Sequence, residues 1–185
     1  MQRCVTVEEL LTGLKSLATQ NFPKEEVDAY LTQTLLDEGA LDSCVSYAED
    51  RYTRHLIHKD DDFELLLICW ASGQKAPIHG HEGELCWARV ERGKLRFSNY
   101  AIVSEEPLRL ERVGEPIDGS AGFLDGPAEI HAVENLVAFG ENAASLHVYS
   151  KPYSHCDVYD SLTGPRRRVS LAYDTIHGEP VTTGS

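Results

Sequence analysis

Two histidines one residue apart, His79 and His81, lie within Gly73–Gly93, GQKAPIHGHEGELCWARVERG, and constrain this chain more than any other feature. On an extended strand, residues i and i+2 project to the same face about 7 Å apart. Two imidazoles placed that way can share one metal ion at about 2.0–2.2 Å each. A third imidazole is available at His131, in GPAEIHAVEN, and Cys86 follows His81 by five residues. Three neutral nitrogen ligands on one face leave the other side of a metal open to substrate.

The spacings resemble the two-part signature of the cupin superfamily. Its first motif runs glycine, five residues, His-x-His, a glutamate, and a closing glycine. Gly73, His79, His81 and Gly93 stand at those intervals, with Cys86 in the glutamate position. The second motif ends in histidine, three residues, asparagine, as His131 and Asn135 do, while its upstream Pro-x-Gly survives only as Gly126-Pro127-Ala128. A single His-x-His arises by chance, whereas the two motifs together are specific.

The periodicity along the chain fits that resemblance. Thr6 and Glu9 form a capping-box pattern, and Leu10, Leu14 and Leu17 recur at helical spacing over 6–20. Pro23 suits the first turn of a second helix, which Gly39 would stop, and a third short helix is expected within Leu41–Tyr52. From Tyr52 the period shortens. Strands are expected at 52–59, around the apolar run Phe63–Trp70, and at Glu84–Arg92, Lys94–Val103, Arg109–Val113, Ser120–Leu124, His131–Asn135, Ser145–Ser150, Cys156–Asp160 and Arg168–Tyr173. Glycine and proline punctuate them at the short intervals of a small barrel or sandwich. The expected fold is therefore an all-β cupin, a double-stranded β-helix or jelly-roll barrel, with an N-terminal helical segment. We read 1–51 as helices packed on the barrel, 52–175 as the barrel carrying the site, and 176–185 as a loosely ordered tail of one domain.

Charge excludes some functions. Seventeen Lys and Arg against thirty Asp and Glu give −13, the opposite of the basic footprint that phosphate-backbone binding requires. Nucleic acid is thus not an expected partner. No apolar run approaches the roughly 20 residues of a membrane span, and MQRCVTVEELL lacks the apolar centre of a signal peptide, so a cytoplasmic protein acting as a monomer is expected. The five cysteines (Cys4, Cys44, Cys69, Cys86, Cys156) form no CxxC pair and describe no disulfide framework in a reducing compartment.

Three histidines suit zinc in a hydrolytic site and non-haem iron(II) equally. Unless Cys86 is a ligand, such a site has no anionic protein donor, which favours a substrate that brings its own negative charge. A metal-bound thiol is deprotonated outright, so a thiol substrate is permitted. Longer matches then identify the chain as resembling the thiol dioxygenases of the cupin superfamily, and among them the cysteine dioxygenases: YTRHL at Tyr52–Leu56, ICWASG at Ile68–Gly73, IHGH at Ile78–His81, Cys86, IHAVEN at Ile130–Asn135, SLHVYSKPY at Ser145–Tyr153, HCDVYD at His155–Asp160 and SLTG at Ser161–Gly164.

That resemblance implies an Fe(II) enzyme that adds both atoms of O2 to the sulfur of L-cysteine. It places the iron ligands at His79, His81 and His131, and the carboxylate-binding arginine at Arg54 with Tyr52 beside it. It puts a thioether cross-link between Cys86 and Tyr149, a hydrogen-bond relay at Ser145 and His147 behind that tyrosine, and a cysteine near the pocket mouth at Cys156. From the residues alone, Cys156 reads as a small buried apolar residue, His55, His58, His155 and His177 as ordinary histidines, Glu82 and Glu84 as solvated loop carboxylates, and Trp70 and Trp87 as core. The chain departs from the family where Lys151 follows Ser150 in place of proline and where Gly80 separates the histidines in place of an acidic residue. Two other readings stand beside this one, a dioxygenase of another small thiol such as 3-mercaptopropionate and a non-oxidative metal-binding cupin. Arg54 and Cys86 speak against the first.

Overall fold

The computed structural model describes residues 2–181. Arg3–Val5 (β1) precedes Val7–Ala18 (α1), where Thr6 and Glu9 close the expected capping box: Thr6 Oγ1 accepts from Glu9 N and Glu9 Oε2 accepts from Thr6 N. Lys24–Gln33 (α2) starts directly after Pro23. It stops six residues short of the glycine expected to end it, because Thr34–Leu36 (β2) leaves the helix to pair in parallel with β1. The third helix shrinks to one 3₁₀ turn at Asp42–Cys44.

The remaining strands are Thr53–Lys59 (β3), Glu64–Trp70 (β4), Ile78–Gly80 (β5), Cys86–Arg92 (β6), Lys94–Glu105 (β7), Leu108–Ser120 (β8), Leu124–Ala128 (β9), Ile130–Glu134 (β10), Ala143–Tyr149 (β11), His155–Tyr159 (β12), Arg166–Ser170 (β13), Thr175–Ile176 (β14) and Glu179–Pro180 (β15). They form a six-stranded sheet in the order β13-β12-β5-β10-β7-β8 and a seven-stranded sheet in the order β15-β14-β3-β4-β11-β6-β9. Three differences from the sequence expectation are local. β8 runs on to Ser120 where a strand ending at Val113 was expected, so that the expected strand Ser120–Leu124 falls on the turn before β9; β5 and β9 carry too little apolar sequence to announce themselves, and residues 176–181 are not a loose tail. Thr175 and Ile176 pair with His55 and Leu56 and continue the seven-stranded sheet, and His177 N donates to Leu56 O. Residues 182–185 lie outside the described residues.

β4 and β11 explain the architecture. Every residue of both strands is buried, which requires cover on both faces. On the inner face Leu66, Ile68 and Trp70 pack with Ala88, Val90, Leu95, Phe97 and Val133 in the core between the sheets. On the outer face Leu65, Leu146 and Val148 pack with Leu10, Leu14, Leu17, Val27 and Leu31 of the two helices. Arg89, almost fully buried on β6, ties the helical segment down: its Nη1 donates to the carbonyls of Leu31 (2.7 Å) and Thr34. Trp87 Nε1 adds a bond to Asp28 Oδ1 (2.6 Å).

Candidate metal centre and active site

The two motifs meet on the six-stranded sheet. β5 lies between β10 and β12, with His79 opposite His131 on one side and Val158 on the other. His81 follows two residues on, so all three imidazoles converge, with ring centroids 4.7–5.1 Å apart and candidate ligand nitrogens within 4.8 Å of one another. No other such cluster of His, Cys, Asp and Glu occurs among the described residues.

Hydrogen bonds fix which nitrogen each ring presents. His79 Nδ1 donates to Pro77 O (2.9 Å), His81 Nδ1 to Ala128 O (3.1 Å) and His131 Nδ1 to Asp125 Oδ2 (3.3 Å). A neutral imidazole that donates from Nδ1 presents an acceptor lone pair at Nε2. The Nε2 atoms of His81 and His131 are buried without a protein partner, and a buried polar atom left unpaired costs about 1–3 kcal/mol. Loss of hydration, reinforced by the neighbouring rings, holds His79 down at about 3 and His81 well below the usual imidazole range. Neutral rings with convergent, unpaired lone pairs are the donor set a divalent cation needs, so the residues fit a metal.

β11 supplies the next layer through its period of two. Leu146 and Val148 face the helices, whereas Ser145, His147 and Tyr149 are buried on the inner side. Trp70 Nε1 donates to Ser145 Oγ (2.9 Å), and Ser145 Oγ lies 2.8 Å from His147 Nε2. An indole only donates, so the serine hydroxyl proton is free for His147 Nε2, which leaves the imidazole proton on Nδ1. That nitrogen faces Tyr149 Oη (3.5 Å) and Cys86 Sγ (3.8 Å), and the Tyr149 proton is then free to point elsewhere. Burial depresses the His147 pKa strongly, keeping the relay neutral, and pushes the Cys86 thiol and the Tyr149 phenol up. Tyr149 and Cys86 are direct cross-strand partners on β11 and β6. The Tyr149 ring also lies 5.7 Å from that of His81. Gly126 makes room behind them: a Cβ there would sit 2.5 Å from Cys86 O, so only glycine lets β9 close over β6 at this point.

Arg54 enters from β3. Its backbone N donates to Asp174 Oδ2 (2.8 Å), but its guanidinium makes no ion pair among the described residues and its Nε is buried without a partner. Tyr52 packs against Trp70, with ring centroids 4.7 Å apart and the planes tilted by 31°. Tyr52 and Arg54 line a depression of about 470 Å³ together with Pro77 and Val158. Pro77 receives the His79 hydrogen bond and Val158 is the strand partner of His79, so the depression adjoins the histidines. Cys156 is buried on β12, and its thiol is raised by burial.

Some residues do more in the structure than their sequence context implies. Glu82 and Glu84 are not merely solvated: Glu82 accepts two bonds from Arg168 (2.6 and 2.5 Å), and Glu84 accepts from Ser150 Oγ (2.9 Å), which holds the loop between His81 and Cys86. Trp70 is core but also begins the relay. Tyr153, whose ring lies 5.1 Å from Tyr149 and 6.1 Å from His81, carried no signal beyond its place in SLHVYSKPY. Asp125 and Asn99 likewise had none, since their role depends on strands β9 and β7 meeting β10.

The profile of the family described as cysteine dioxygenase type I matches residues 3–162. Cysteine dioxygenase type 1 of Homo sapiens is 25% identical over 176 residues, 91% of this chain and 88% of that protein. The Bos taurus protein of the same name is 27% identical over 184 residues, covering 96% and 92%. Among solved structures, a conserved protein with a double-stranded β-helix domain from Klebsiella pneumoniae superposes with a TM-score of 0.51 at 14% identity, over 65% of this chain and 89% of that one. It supports the fold alone. None of the helices described is long and apolar enough to cross a membrane.

Proposed function

Because the chain belongs to the cysteine dioxygenase type I family, we propose that it is an iron(II)-dependent enzyme that oxidises L-cysteine with O2 to cysteine sulfinic acid. The observation that carries this reading is the pairing of two unfilled valences side by side, a set of three imidazoles whose ligand atoms converge and an unpaired guanidinium in the adjoining depression. One asks for a cation and the other for an anion. A small amino acid with a thiol and a carboxylate answers both.

In this reading His79, His81 and His131 hold the iron. Bound Fe(II) supplies thiolate ligation and the activation of dioxygen by which both oxygen atoms reach sulfur. The protein contributes position and charge. Arg54 receives the substrate carboxylate through its fork of donors, and Tyr52, held against Trp70, keeps that side of the pocket filled. Tyr149 offers the hydroxyl proton that the Trp70–Ser145–His147 chain leaves free. Cys86 and Tyr149 are cross-strand partners, which supports reading them as the pair that joins. The thioether would form with loss of the S–H hydrogen and one ring C–H hydrogen, dioxygen accepting the two electrons. Such a bond would lock the tyrosine ring in one position.

The test is oxygen uptake by the Fe(II)-loaded protein on adding L-cysteine, with the product identified by mass spectrometry. Stoichiometric cysteine sulfinic acid is expected. Faster oxidation of 3-mercaptopropionate than of cysteine would reassign the substrate. Iron binding without thiol-dependent oxygen uptake would point to a non-oxidative cupin.

A further inference from the structure

The three histidines are not equivalent. His79 and His81 each donate Nδ1–H to a neutral backbone carbonyl, of Pro77 and Ala128. His131 alone donates to a carboxylate, Asp125 Oδ2, at 3.3 Å. Asp125 is about 5% exposed and His131 fully buried. The other carboxylate oxygen, Oδ1, accepts from Asn99 Nδ2 at 3.0 Å, so the acid is held from two sides. Its position follows from the fold: Asn99 pairs with His131 across β7 and β10, and β9 carries Asp125 against β6.

We infer that Asp125 is a positioning residue that acts on the metal through His131, supplying one bond further out the negative charge that a three-histidine face lacks. This rests on the reading of the three histidines as an iron site. A carboxylate that accepts from the non-ligating nitrogen fixes the ring's tautomer and orientation and makes the ligating nitrogen more basic. Charge placed there stabilises a trivalent ion more than a divalent one. Asn99 is its tether. It is also the partner best able to adapt, because its Oδ1 is buried and unpaired and its amide can turn over.

That adaptability makes Asp125→Asn a clean probe, since the variant keeps the volume and an acceptor for His131 while Asn99 turns to meet the new amide. The experiment follows Fe(II) partition between the loaded full-length protein and a chromophoric chelator under anaerobic conditions, for the native protein, His131→Ala, Asp125→Asn and Asn99→Ala. Asp125→Asn should bind Fe(II) about 10–100-fold more weakly. Its affinity for Fe(III) should fall by about a further tenfold, read as a rise of about 59 mV in midpoint potential. Asn99→Ala, which keeps the charge but frees it, should lose several-fold, and it carries the test should Asp125→Asn not fold. If the native protein holds iron, His131→Ala does not, and Asp125→Asn matches native in both affinity and potential, this inference falls and the metal site stands. Unchanged iron retention in Asn99→Ala, with Asp125→Asn unfolded, also overturns it. A native protein that retains no iron removes the site and the inference together.

Discussion

Replacing Arg54 with methionine sets substrate recognition against stability. The guanidinium is largely buried, its Nε has no partner, and Glu64 and three tyrosines are the groups nearest in charge effect. A charge taken from water without a close counter-ion costs several kcal/mol even after relaxation, so the fold gains nothing from it. A bidentate contact with a substrate carboxylate would contribute about 1.5–3 kcal/mol, or about 10–150-fold in kcat/KM. Arg54→Met should therefore lower kcat/KM for cysteine by that factor, leave iron content unchanged, and hold or raise Tm. Each kcal/mol recovered would appear as about 2–4 °C in a chain of this length. Oxygen-uptake kinetics, metal analysis and a thermal melt on the same preparation measure all three. Cysteamine, which lacks the carboxylate, should be a poor substrate for the native protein and nearly insensitive to the substitution. Intact cysteine turnover, or a Tm that falls by several degrees, would show that Arg54 serves a protein partner and not the substrate.

Other outcomes follow from the same geometry. Each of His79→Ala, His81→Ala and His131→Ala should yield folded protein with little iron by elemental analysis, and full iron in any one would remove that residue from the ligand set. Intact-protein mass after turnover should show a deficit of two hydrogens that disappears in Cys86→Ser, whereas unmodified peptides carrying Cys86 and Tyr149 separately would exclude the thioether. Metal-free protein should lose stability as pH falls below about 6.5: the depressed His79, His81 and His147 stay neutral when folded while their unfolded counterparts take up protons, at up to about 1.4 kcal/mol per histidine per pH unit. Denaturant midpoints between pH 7.5 and 5.5 read this, and a flat profile would contradict it. Arg89→Ala should cost about 1–3 kcal/mol for each buried carbonyl it leaves unpaired, those of Leu31 and Thr34, seen as a lowered midpoint, and a loss under 1 kcal/mol would show that apolar packing holds the helices alone.

How much of this could be read beforehand depends on how local each signal is. The capping box at Thr6 and Glu9 and the leucines of α1 involve neighbours in sequence, and they were legible. So was the run Phe63–Trp70, because full burial leaves a continuous apolar stretch. The end of α2 was not: nothing within 34–36 says that those residues will find β1 thirty positions away. The same holds for the sheet joined by residues 175–180 and for β5, three residues long with a single apolar side chain. In the site, His79, His81 and His131 stood out because metal ligation imposes spacing within each motif. Asp125 touches His131 only because β9 folds back over β6, and Trp70 reaches Ser145 across 75 positions, so neither contact leaves a trace in a linear pattern.

The alternation along β11 has a consequence for any attempt to reshape this protein. Side chains 145, 147 and 149 face the candidate site and 146 and 148 the seat of the helices, so one strand is written in two interleaved texts. A slip of one residue would exchange them, sending Leu146 and Val148 towards the histidines and the relay under α1 and α2. The helices therefore act as a lock on register as well as a cover. A minimal barrel stripped of them would keep every residue of the site in its sequence and lose what decides which way those residues face.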